Sequence, residues 1–105
     1  MPADSRPHVD DVLNEVEQHI NRLDQCVAKL ASQMQDTDAC QDLKSLAGEA
    51  LDANKNATIL AELRTLLLDQ RRAEGGDAHV PQAVLDLLMV GRASCEHHVQ
   101  RLMGQ

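Results

Sequence analysis

The chain has 105 residues, is 43% apolar and carries a formal charge of −7, without a single Phe, Trp or Tyr. That length suits one domain around one hydrophobic core. The missing aromatics exclude base-stacking platforms and aromatic cages for methyl-ammonium groups, and the acidic balance excludes the basic face that a nucleic acid or an anionic membrane requires.

A core of Leu, Val and Ala without rings must be built from thin aliphatic layers, which suits close-packed helices better than packed sheets. Cys26, Cys40 and Cys95 are odd in number, widely spaced and outside any CxxC arrangement, a usage that fits a reducing cytosol. The opening "MPADSRPHVDDV" has no apolar signal core, and no stretch reaches membrane-spanning length. A cytoplasmic location is the expectation. Residues 1–38 hold eight acids against three bases, which reads as a solvated acidic face.

The first element carries the clearest pattern. Val9, Leu13, Val16, Ile20, Leu23, Val27, Leu30 and Met34 alternate spacings of four and three, a heptad seam that predicts a helix over about 6–34. Ser5 is the expected N-cap, with Asp10 and Asp11 at the positive end of the helix dipole. Acidic e positions and the lack of Lys or Arg at g remove the usual inter-chain salt bridges, so the seam is expected to pack inside the protein's own bundle.

"QDTD" at 35–38 breaks the pattern and offers caps for the next helix. Beyond it, two stripes compete. Ala39, Leu43, Leu46, Ala50, Ala53 and Ala57 share one face, while Ile59, Leu60, Leu63, Leu66 and Leu67 share another, rotated by roughly 130° on an ideal helix. A split or kink near "DANKN" (52–56) reconciles them, giving helices over about 38–53 and 57–73. A continuous helix with two working faces is the alternative. On that alternative Leu43, Leu46, Ala50, Ala57 and Leu68 form a stripe suited to a dimer or partner interface.

"RRAEGGDAH" at 71–79 closes the helix, with Arg71 and Arg72 at its negative end and Gly75 and Gly76 able to take a left-handed cap. Asp77 is the expected cap of a last helix over about 78–103, with Pro81 in its first turn. The fold class is therefore all-α, an up-and-down bundle of three long helices, or four if the middle one divides.

The one chemical cluster is "SCEHHVQRL" at 94–102. On a helix Cys95 and His98 share a face at a spacing that can chelate a metal, whereas Glu96 and His97 point elsewhere. His19 and Cys26 on the first helix are the available further ligands. They lie about 10 Å apart along the axis, so only one could join, leaving three ligands at best. The packing reading is the stronger one: Cys95 continues the Leu88–Leu102 stripe as a small buried hydrophobe, and His98 sits at its rim. Phosphotransfer on His19 or His97 lacks the small-residue surroundings such sites use. The chain has no P-loop, GxGxxG, HExxH or EF-hand signature.

The expected function is a small non-enzymatic interaction module, adaptor- or chaperone-like, self-associating as a homodimer and binding a protein partner, with no cofactor. The alternative is a metal- or redox-responsive bundle using Cys95 and His98 with His19 or Cys26. Size, acidity and helical pattern resemble small bacterial adaptor and secretion-chaperone proteins at the level of fold alone.

Overall fold

A computed structural model describes residues 5–38 and 40–103. Three helices follow one another, α1 (Val9–Gln35), α2 (Cys40–Glu74) and α3 (Gln82–Met103), and no strand forms among the described residues. They pack up, down and up into an elongated body of 61 × 25 × 17 Å. The length follows from α2, whose 35 residues span about 52 Å at 1.5 Å per residue. With 22 residues, α3 spans about 33 Å, so α1 and α2 run on together past its end.

The seam of α1 is buried inside the bundle. Val9, Leu13, Val16, Ile20, Leu23 and Leu30 all lie in the core, and Val12 and Cys26 widen the stripe. Each fully buried Leu or Val contributes about 1.5–3 kcal/mol over leaving it in water. The first turn is capped by long-range contacts. His8 occupies the N-cap position without a side-chain cap, displacing the expected start at residue 6 and the expected Ser5 cap. The amides of Val9 and Asp10 donate instead to the carbonyls of Ala78 and Gly76, and Val80 donates to Pro7. The α2–α3 loop thus satisfies orphan donors of α1.

α2 is unbroken from Cys40 to Glu74, so the expected split near 52–57 does not occur. The polar residues that suggested a break serve the helix instead. Asn56 Nδ2 donates to the Asp52 carbonyl and Thr58 Oγ1 to the Asn54 carbonyl, each bonding back one turn rather than capping a new end. The two stripes also turn out to be one seam. Leu43, Leu46, Ala50, Ala53, Ala57, Leu60, Arg64 and Leu67 continue the alternation of three and four. Ala53, Ala57, Leu60, Leu63 and Leu67 are the buried residues of the helix. Ile59 and Leu66 belong to the outside. Ala39, expected at the head of the stripe, lies outside the described residues.

The α2 terminus behaves as its sequence predicts. Gly75 takes a left-handed φ of 92° and its amide donates to Arg71. The second glycine lies close to α1: a Cβ on Gly76 would fall 2.0 Å from the Asp10 carboxylate and would displace that side chain. α3 begins at Gln82, four residues later than expected, because residues 75–81 are held against α1. Pro81 precedes its first turn and accepts from the amides of Val84 and Leu85.

Val84, Leu88, Gly91, Cys95, His98 and Leu102 form the inner seam of α3, again at alternating four and three. Gly91 allows the closest approach to α2, since a Cβ there would meet Leu60 Cδ2 at 2.6 Å. A smaller second core of Cys26, Leu30 and Leu102, with Leu46 and Ala50 packed against it, closes the far end of α3. No described helix is long and apolar enough to cross a membrane.

Candidate functional site

α3 has two edges, one against α1 and one against α2, and the sequence-predicted ligands divide between them. On the α1 edge the anchor is Glu15. It accepts two hydrogen bonds of 2.7 Å from the Arg92 guanidinium and lies 2.9 Å from His19 Nε2. Bidentate geometry of this kind fixes orientation as well as charge. Hydrogen bonding from Arg92 holds the Glu15 carboxyl below its ordinary value, against a smaller opposing effect of burial and with help from His19. The Arg92 pKa is raised by the same bond.

Cys95 lies on this edge, buried, with its thiol 3.8 Å from the His19 carbonyl. Burial pushes the Cys95 thiol up, with nearby Arg22 opposing. Burial also raises Cys26, with Lys29 opposing. Lys29 Nζ donates to the Leu102 carbonyl and ties the end of α3 to α1. Thiols held in the neutral form are poor nucleophiles and poor ligands. His19 keeps one buried nitrogen, Nδ1, without a hydrogen-bond partner.

His98 faces the other way. It lines a cleft of about 220 Å³ with Ser45, Gly48, Glu49 and Asp52 of α2 and His97 and Arg101 of α3. Cys95 and His98 are successive positions of the α3 seam, with Cys95 leaning to the α1 edge and His98 to the α2 edge. Among the described residues no three His, Cys, Asp or Glu side chains converge as a metal-ligand set. His98 is also deeper than the rim position expected of it, at 4% exposure. Its Nδ1 is buried without a hydrogen-bond partner, and so is Glu49 Oε1. Arg101 Nε lies 3.2 Å from that oxygen, but off the hydrogen-bonding direction, so the contact is one of charge alone. Ser45, His98 and two carboxylates share the cleft, yet no hydrogen bond links the serine to the histidine or the histidine to a carboxylate, the connections a nucleophile and base require.

The cleft is one end of a longer edge. Residues seven apart on a helix face nearly the same way, drifting by about 20°. From Ser45 and Asp52, steps of seven lead to Ile59 and Leu66. From His97 one step back leads to Val90, and from Arg101 two lead to Leu87. α2 and α3 are antiparallel, with Arg101 opposite Glu49 at one end and Gly91 against Leu60 further along. Register thus places the four residues along the same α2–α3 edge, and they are 51%, 55%, 66% and 47% exposed in the order named. One edge of the bundle is polar and hollow at one end and apolar and open along the rest.

The interface residues expected from sequence lie elsewhere. Ala57 is in the main core, Leu68 packs against it, and Leu46 and Ala50 pack on the second core, while Leu43 is half-buried. Four of the five thus pack within the protein's own cores. The signal for the outer groove was present in the sequence: extending the seam from Ala57 to Leu60 and Leu67 leaves Ile59 and Leu66 one heptad apart on the outside. Compared with known proteins, the chain matches no family, no curated protein and no solved structure.

Proposed function

We propose that the protein is a non-enzymatic interaction module that receives a helical segment of a partner protein along the α2–α3 edge. One observation carries the reading: Ile59, Leu66, Val90 and Leu87 are large, apolar and about half exposed at positions that register places along one groove. Scattered surface leucines need no explanation, but apolar side chains aligned along an edge are what a groove-bound helix covers. A fourth helix laid there would turn a three-helix body into a four-helix bundle.

No specific observation favours the metal- or redox-responsive alternative. Cys95 leans to the α1 edge and His98 to the α2 edge, and burial pushes the thiols of Cys26 and Cys95 up. In-cell photo-crosslinking tests the proposal. A benzophenone side chain at Leu66 is expected to form a covalent protein adduct, whereas one at the exposed Gln18 of α1 is not. Adducts at neither position, or at Gln18 alone, would contradict it.

A further inference from the structure

The occupant of the groove can be narrowed by charge, which rests on the reading just given. Three carboxylates, Glu62, Asp69 and Asp86, flank the apolar stretch at positions one helical turn from Ile59, Leu66 and Val90. Asp69 has Arg72 at 3.8 Å and Asp86 accepts a hydrogen bond from Gln82, and both remain exposed. At the polar end stand Glu49 and Asp52. Lys55 and Arg101 are the cations of these same helix faces, so acids outnumber bases by five to two along the edge. A second copy of the chain would set this acidic edge against its own like, which costs free energy and suppresses pairing.

The cleft adds an independent requirement. Glu49 Oε1, with the Arg101 guanidinium 3.2 Å away but off the hydrogen-bonding direction, and His98 Nδ1 are buried acceptor atoms without hydrogen bonds, the histidine nitrogen accepting when its proton is on Nε2. A buried acceptor left unpaired is costly, and a donor that reaches it recovers that cost on binding. The absent Cβ at Gly48, which has nothing within 4 Å of the position a Cβ would take, leaves the mouth of the cleft open to a long side chain.

We infer that the α2–α3 edge binds an amphipathic helix with basic flanks, its apolar stripe on Ile59, Leu66, Leu87 and Val90 and one Arg or Lys side chain inserted between Glu49 and His98. The distance from the cleft to the apolar stretch sets the spacing. Glu49 precedes Ile59 by ten residues, so the inserted cation lies about three turns beyond the end of the ligand's apolar stripe.

The test uses two fluorophore-labelled 20-residue model helices with the same Leu stripe, one flanked by Arg and one by Glu. Each is titrated into the full-length protein by anisotropy, and its site is mapped by amide chemical shifts. The Arg peptide is expected to bind at α2–α3, more weakly as salt rises, and at least tenfold more tightly than the Glu peptide. Glu49→Gln is expected to weaken the Arg peptide by about tenfold, the loss of one charge-assisted bond, with an unchanged melting temperature as the control for folding. Equal binding of both peptides at this edge, or a Glu49→Gln variant that binds normally, would overturn the inference and leave the module reading intact. Shifts confined to another face would do the same. A concentration-dependent dimer whose interface is Ile59, Leu66, Leu87 and Val90 would overturn it in favour of a second copy. Failure of both peptides to bind anywhere, with a monomer at every concentration, would sink the module reading as well.

Discussion

Along α1, α3 is fastened by a bidentate ion pair, a thiol on a backbone carbonyl and a lysine on the helix end. Along α2, the same helix leaves four large apolar side chains half in water and two buried acceptors without a hydrogen bond. Both edges share one core, so the difference does not come from incomplete folding of α3. It comes from which residues fill the flanking positions. Where Glu15, Arg92 and His19 meet, the flanks complement each other and close the edge. Where Ile59, Leu66, Leu87 and Val90 line the edge, the flanks are alike and apolar, and all four remain about half exposed. An edge of the first kind holds a structure together, and an edge of the second kind is available to a ligand.

The largest expected effect is common to both edges. Leu60 is fully buried and supports Gly91, so Leu60→Ala should cost about 2–5 kcal/mol by chemical denaturation, loosening α3 from both neighbours. A loss below about 1 kcal/mol would show that the seam is not the shared core.

The closed edge should respond next. Glu15→Ala breaks the pair with Arg92, and because both side chains are part exposed the cost should be about 1 kcal/mol or less. Its pH dependence has a definite sign. The folded carboxyl titrates below its ordinary value of 4.5, so its contribution is complete above that pH and is lost as pH falls through the lowered folded value. Wild-type stability should therefore fall more steeply below pH 4.5 than that of Glu15→Gln, as followed by melting temperature. Parallel curves would mean that the anchor contributes nothing.

Thiol reactivity separates buried from exposed positions on the same terms. Cys40 is exposed, while Cys26 and Cys95 are buried with raised pKa values. One thiol per chain should react quickly with a disulfide reagent at neutral pH, and the other two only on unfolding. Rapid reaction of Cys95 would mean that the α1 edge opens readily.

The smallest stability effect belongs to the open edge. Ile59→Ser and Val90→Ser remove side chains that are more than half exposed, so each should lie within about 0.5 kcal/mol of wild type. A larger loss would show that the groove is part of the fold.

Much of this was legible in the residues. The seam of α1 needs only one helix, and its unbroken alternation leads directly to the buried set Val9–Leu30. Cys95 continues an apolar stripe and is buried in it. α2 misleads because five aliphatic residues crowd into 59–67 on about a third of the helix circumference, centred away from the seam. Their mean direction departs from the seam, and only the position of α1 decides which of them turn inward. The starts of α1 and α3 depend on backbone bonds between segments some seventy residues apart, which local capping rules cannot see. Helical spacing already parts His98, which shares a face with Cys95, from His97, but it places His98 only at the rim of the stripe. Register against α2 buries one and exposes the other.

The central claim is that the α2–α3 edge is a binding surface and the α1–α3 edge a structural one. The double variant Ile59→Ser/Val90→Ser, compared with Glu15→Gln for both melting temperature and Arg-peptide affinity, tests it most directly. The serine pair should keep the wild-type melting temperature and lose the peptide, while Glu15→Gln should melt earlier and bind as wild type does. Peptide affinity that survives the serine pair, or that falls with Glu15→Gln in step with stability, would contradict the account.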